Sequence, residues 1–208
     1  MLCGLKKLRI LTHKRDIKTM KIYTIIAGVN GVGKSSLSGV LRAERTDLGD
    51  IIDTDKIAAD SGFTAIEAGK TAIKKIDEYF SKNLSFTQET TLSGRRTEKT
   101  IKTAKENGYS IRLFYIGLDT SDESVKRIKN RVEKGGHDIR QDDVERRFST
   151  RFESLAKVLA YCDEVTFYDN ENGFAEVARY TNFTLKIKGD YLPKWLTELQ
   201  ETLQKKQQ

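Results

Sequence analysis

Gly28-Val29-Asn30-Gly31-Val32-Gly33-Lys34-Ser35 decides the fold of this chain. The stretch fits G-x-x-x-x-G-K-[ST] without departure, the pattern of a loop that wraps a polyphosphate tail. Its glycines permit positive φ and let backbone N–H groups point inward at phosphate oxygens. A short β-rich run, 23–27, precedes it, and Leu37, Val40 and Leu41 give the i, i+3, i+4 face of a helix after it. That helix aims the positive end of its dipole at the same place. Lys34 can neutralise β/γ-phosphate charge, and the Ser35 hydroxyl can face Mg²⁺. Gly28, Asn30, Gly31, Val32, Gly33 and Ser36 complete the expected nucleotide cradle, for ATP or GTP.

Working outward, strand and helix patterns alternate, which predicts a three-layer α/β/α fold of the P-loop type. A mainly parallel central sheet and a helical lid at about 121–150 are expected. Strands are read at 50–53, 84–90, 110–118 and 164–168. Helices are read at 64–80 (with Ile66, Ile73, Ile76 and Phe80 on one stripe), 95–107, 121–133, 142–161 and 193–203. The segment 174–187 is ambiguous. One proline and no Gly/Ser-rich linker leave residues 21–208 as a single domain.

The net charge of +7 looks like a nucleic-acid signal until it is located. Lys6, Lys7, Arg9, Lys14, Arg15 and Lys18 stand against Asp16 alone, so most of the excess sits in a basic arm, 1–20. The rest is nearly neutral, and nucleic acid is not the expected partner. We read the arm as disordered or as the product of an upstream start, with Met20 the natural beginning. Cys3 and Cys162 make neither a disulfide framework nor a metal cluster, which fits a reducing cytoplasm. No apolar run approaches the ~20 residues of a membrane span.

Acids follow the second strand. Asp53 and Asp55 end Ile51-Ile52-Asp53-Thr54-Asp55, and ligands of open α/β sheets sit outside the carboxyl ends of strands. Such a carboxylate can take the proton of an attacking hydroxyl or hold Mg²⁺ through water. Asp53 serves either as a cation-side acid or as the cap of a helix starting near Lys56, and Asp55 is assigned to catalysis or substrate contact. Glu89, Thr90 and Thr91 close the third strand and either grip a polyhydroxylated acceptor or form an ordinary polar turn. Arg127 and Arg131 share a helix face running into Gly135-Gly136-His137-Asp138-Ile139-Arg140. A glycine hinge beside arginines suits a lid over ATP; a solvated basic helix is the alternative. Arg131 and Arg140 are the better candidates, while Arg147 and Arg151 read as snorkelling side chains. His137 suits a structural turn better than a ligand contact. Asp119 and Asp169 are alternative metal-side acids at strand ends, and Asp169-Asn170 can also line an adenine pocket.

Together, GVNGVGKSS at 28–36, IIDTDKIA at 51–58, FTQETTLSGR at 86–95, RVEKGGHDI at 131–139 and YDN at 168–170 resemble the zeta-toxin family of P-loop kinases. The likeness is greatest to a stand-alone branch often labelled predicted ABC-type ATPases. It spans about 21–170. It implies phosphorylation of a UDP-N-acetyl sugar, typically UDP-N-acetylglucosamine at its 3′-hydroxyl, by ATP or GTP, and an antitoxin protein as a possible partner. It implies Lys34 and Ser35 on phosphate and Mg²⁺, Asp55 as base, Glu89 and Thr90 on the sugar-nucleotide, and Arg131 with Arg140 as a phosphate clamp. Two positions depart from the branch. Asp138-Ile139-Arg140 stands where Val-Pro often follows Gly-Gly-His, and Asp53 stands where Asn is common.

Two other functions fit the same residues. One is a P-loop kinase for another hydroxyl, on a nucleoside, a sugar or a dinucleotide. The other is a nucleotide-binding switch or ATPase that acts on no small acceptor.

Overall fold

The computed structural model describes residues 20–206, so the arm read at 1–20 lies, Met20 apart, outside the described residues. Strand β1, Ile22–Ala27, is buried along its whole length. A continuous apolar run is what a parallel strand covered on both faces requires. Helix α1, Lys34–Glu44, follows the glycine loop, and β2, Asp50–Asp53, leads straight into α2, Thr54–Ser61. Helix α3, Ala65–Lys82, opens with a reciprocal capping box between Thr64 and Glu67. Strand β3, Phe86–Thr90, α4, Arg96–Glu106, β4, Ser110–Gly117, and α5, Ser121–Glu133, continue the alternation. Then come α6, Gln141–Ser149, α7, Arg151–Leu159, β5, Glu164–Asp169, the strands β6, Ala175–Thr181, and β7, Thr184–Ile187, and α8, Lys194–Lys205.

The sheet order is β2-β3-β1-β4-β5-β6-β7. The first five strands are parallel, and β6 and β7 extend the sheet antiparallel beyond β5. The larger core lies between one sheet face and α3, α4, α7 and α8, with Trp195 at 0% exposure. On the other face Leu37 and Leu41 of α1 pack with Ile26, Phe114 and Ile116. This is the expected P-loop α/β/α fold. Its parallel strands bring the ends of β1, β2 and β3 to one edge, with Asp53 in register with Glu89, and Ala27 with Thr90.

Four sequence readings change. The helix expected over 142–161 is two, α6 and α7, broken at Thr150. The hydroxyls of Ser149 and Thr150 both donate back to the Arg146 carbonyl, at 2.9 and 3.0 Å, and compete there with helical bonding. The ambiguous segment 174–187 is the β6–β7 hairpin, turned by Asn182 and Phe183 at φ 49° and 59°. Ile66 is exposed and leaves the α3 core to Ala68, Ala72 and Ile76. In α1, Val40 faces solvent and Ser38 takes the inward position.

Candidate active site

The glycine loop owes its shape to backbone that other residues reach only with strain. Gly28, Gly31 and Gly33 have φ of 149°, 75° and 98°. A Cβ on Gly28 would stand 2.5 Å from the Ile116 carbonyl oxygen. Gly33 caps α1 without a side-chain acceptor, so the first-turn amides of Lys34, Ser35 and Ser36 have no partner within their own helix. These amides open onto a cleft of about 420 Å³. Asn30, Gly31, Gly33, Lys34, Ser35 and Ser36 line it. Gly28 and Val32 lie behind, as loop backbone. Asn170 stands behind the loop too. Its Nδ2 donates to the Val32 carbonyl at 2.8 Å, and its own carbonyl accepts from Arg127 at 2.8 Å. Its side chain thus braces the phosphate loop, which differs from the adenine-lining position expected from sequence.

Lys34 Nζ folds back onto the carbonyls of Gly28 and Val29, 3.1 Å from each. Burial pushes its pKa below the ordinary lysine value, against an upward pull from Glu89, Asp55 and Asp53. The same acids face it across the cleft, which Asp53, Asp55, Glu89, Thr90 and Thr91 also line. Asp53 is both the last residue of β2 and the cap of α2, its Oδ1 accepting from the amides of Asp55 and Lys56 at 2.9 and 3.3 Å. The helix therefore starts at Thr54, earlier than expected, and Asp55 projects from its first turn rather than from extended chain.

Glu89 is buried, and burial raises its pKa while two serine hydroxyls lower it. Ser35 Oγ donates to one carboxylate oxygen at 2.8 Å and Ser38 Oγ to the other at 2.6 Å. Asp119 and Asp169, the alternative metal-side acids read from sequence, do not line the cleft. Those two serve Trp195 instead: Asp119 accepts its backbone N–H at 3.0 Å, and the buried Asp169 accepts its indole N–H at 2.8 Å.

Arg131 lines the cleft from α5, one guanidinium nitrogen donating to the His137 carbonyl at 2.6 Å. Arg140 is not brought there. It is exposed and pairs with Asp142 at 3.2 Å, because the 134–140 loop carries it to the opposite side of α5. Arg147, read as a snorkelling side chain, takes its place: it lines the cleft and donates to Asn30 Oδ1 at 2.9 Å. The Nε atoms of Arg131 and Arg147 are buried with no acceptor among the described residues. Buried unpaired donors are costly, and an anion in the cleft that both arginines line would satisfy them. Arg147→Ala should weaken ATP binding about tenfold or more, the worth of a charged hydrogen bond, and Arg140→Ala should stay within about twofold. Titration of a fluorescent ATP analogue checks both. Arg96 and Thr97 of α4 also line the cleft. No sequence signal distinguished them from an ordinary amphipathic helix start.

The zeta toxin family's sequence profile matches residues 54–177. The chain belongs to the zeta toxin family. An uncharacterized protein of Haemophilus influenzae is 39% identical over 127 residues, 58% of this chain and 88% of that one. Among solved structures, one from the PezAT chromosomal toxin–antitoxin system of Streptococcus pneumoniae superposes with a TM-score of 0.62 at 17% identity, covering 95% of this chain and 90% of that one. The AvrRxo1-ORF1:ORF2 complex with ATP superposes at 0.60 and 16% identity, covering 88% of this chain and 63% of that one. These low identities speak to fold, and family membership rests on the profile, which covers more than half of the chain. The zeta-toxin P-loop fold is that of a nucleotide-dependent kinase. No described helix is long and apolar enough to cross a membrane.

Proposed function

We propose that this protein transfers the γ-phosphoryl group of ATP to a hydroxyl of a UDP-N-acetyl sugar, with the UDP-N-acetylglucosamine 3′-hydroxyl as acceptor. One observation carries the reading: Asp55 and Glu89 stand across a single cleft from Lys34 and the unpartnered first-turn amides of α1. Phosphates belong on the amide side, with the cation beside Ser35 and Glu89, and a hydroxyl beside Asp55. In the transfer, the acceptor oxygen bonds to the γ-phosphorus and gives its proton to the Asp55 carboxylate. The bond between that phosphorus and the β,γ-bridging oxygen breaks, and ADP leaves. Arg131 and Arg147 neutralise charge spreading over the phosphoryl oxygens, and Lys34 leaves its loop carbonyls for the same oxygens. Thr90 and Thr91 supply hydroxyls to the acceptor side.

Mg²⁺ suits the donors present. Ser35 and the carboxylates of Asp53 and Glu89 are hard oxygen ligands, and no described group of three His, Cys, Asp or Glu forms a cage of its own. Such an ion is held by nucleotide phosphates and water as much as by protein. Bound there, it would supply charge neutralisation between the β- and γ-phosphates. The segment 121–150 acts as the lid of one domain spanning 21–208. It hinges at the largely exposed 134–140 loop, while Ser124 ties α5 to Asn30 of the phosphate loop and Arg127 ties it to the Asn170 carbonyl. The expected setting is the cytoplasm, with an antitoxin as partner.

The test mixes protein, ATP, Mg²⁺ and UDP-N-acetylglucosamine and seeks a product heavier by one phosphoryl group by mass spectrometry. A parallel panel offers nucleosides, simple sugars and NAD-like dinucleotides. Product on another acceptor and none on the UDP sugar would reassign the acceptor half of the cleft. Hydrolysis that ignores every acceptor would favour a switch or ATPase.

A further inference from the structure

We infer that Ser38 is a positioning residue: its hydroxyl pins the Glu89 carboxylate so that the other carboxylate oxygen and Ser35 together face the nucleotide-bound cation. The inference rests on the nucleotide-and-cation reading of the cleft and needs no particular acceptor.

Ser38 has no ordinary reason to be where it is. It lies on the inward face of α1 beside Leu37 and Leu41, at 4% exposure, where an amphipathic helix places an apolar side chain. Its hydroxyl does not bond back to its own helix, the usual recourse of a mid-helix serine. It crosses to β3 and donates to Glu89 at 2.6 Å. Ser35, one turn earlier on the same face, donates to the other oxygen of that carboxylate at 2.8 Å. Two donors three residues apart on a rigid helix therefore grip both oxygens of one buried acid. A single donor would leave the carboxylate free to rotate about its last bond.

The division of labour follows from the loop. Ser35 is the hydroxyl beside the phosphates, so its lone pairs are wanted by the cation while its proton stays on Glu89. Ser38 opens instead toward a side lobe of the cleft formed with Gly39 and Arg42. It is free to act as a fixed anchor. Removing it leaves one oxygen of Glu89 buried and unpaired, and the carboxylate no longer held in one orientation.

The experiment compares the full chain as wild type, Ser38→Ala and Ser38→Thr. ATP binding is measured first in EDTA. Mn²⁺ is then titrated into the protein–ATP complex, free Mn²⁺ being counted by its electron paramagnetic resonance signal. In EDTA the three proteins should agree within about twofold. The Mn²⁺ affinity of the complex should fall about tenfold in Ser38→Ala, the worth of a hydrogen bond to a charged group. Ser38→Thr restores the hydroxyl, its extra methyl facing the side lobe, and should recover most of the loss. Unchanged Mn²⁺ affinity in Ser38→Ala overturns the inference. A loss that threonine does not recover, or one equally large in EDTA, also overturns it, because either marks plain packing. A wild type that binds no ATP removes the cleft reading and this inference together. A failed transfer assay on UDP-N-acetylglucosamine leaves it standing, since no acceptor is present here.

Discussion

Asp55→Asn is expected to lower the phosphotransfer rate by about a thousandfold, within the range a general base contributes, while the KM for ATP stays within about twofold. The substitution keeps shape and removes only the ability to take a proton. Its structural side effects are small for reasons visible around it. The amide of Asp55 is already held by Asp53 Oδ1 at 2.9 Å, so α2 remains capped. The side chain is exposed, and no side chain is left stranded by the change. What α2 loses is one favourable charge in its first turn, worth about 0.3–1 kcal/mol. Melting temperatures of the two proteins should therefore nearly coincide. Initial rates at saturating acceptor, with ATP affinity measured separately, decide the matter. A variant that transfers at half the wild-type rate would take the base assignment away from Asp55. A variant that loses ATP binding in step with turnover would move Asp55 to the nucleotide side.

The fold and the phosphate half of the cleft were legible in the sequence because both depend on local pattern. The loop from Gly28 to Ser35 needs its glycines for backbone geometry, and its neighbours for a strand and a helix, so these eight letters and their flanks specify strand, turn and helix together. Asp53 and Glu89 could be placed at one edge because strand ends in a parallel sheet converge there, and their register pairing follows. The arginines were not legible to the same degree. Arg140 and Arg147 stand in similar charged surroundings in the sequence, and what separates them is the path of the 134–140 loop and the break at Thr150. Both set which way a side chain faces, and neither changes composition. Ser38 was missed for the opposite reason. Apolar periodicity looks for Leu and Val on the inward face, and a serine that turns inward to meet a carboxylate on another strand leaves no periodic trace.

Lys34→Met should abolish detectable ATP binding, weakening it by at least about a hundredfold, and should cut turnover further than any single arginine substitution. An ammonium facing the β- and γ-phosphates contributes through charge, and methionine of similar length contributes none. The nucleotide-free protein should behave in the opposite sense. Burial lowers the Lys34 pKa, so the charged form is a cost to the folded state that the nearby Glu89, Asp55 and Asp53 only partly offset. A lysine with a lowered folded-state pKa makes the unfolded chain the greater proton binder, and stability then rises with pH toward the ordinary lysine value of 10.5. Replacing Lys34 removes that slope. Lys34→Met should thus melt no lower than wild type at neutral pH without nucleotide, and the gap between them should narrow as pH is raised. Added ATP should raise the melting temperature of wild type and leave the variant where it was. A variant that is destabilised without nucleotide would mean that Lys34 is chiefly a structural tie of the loop. Thermal stabilisation of the variant by ATP equal to that of wild type would mean that the first-turn amides of α1 hold the phosphates without it.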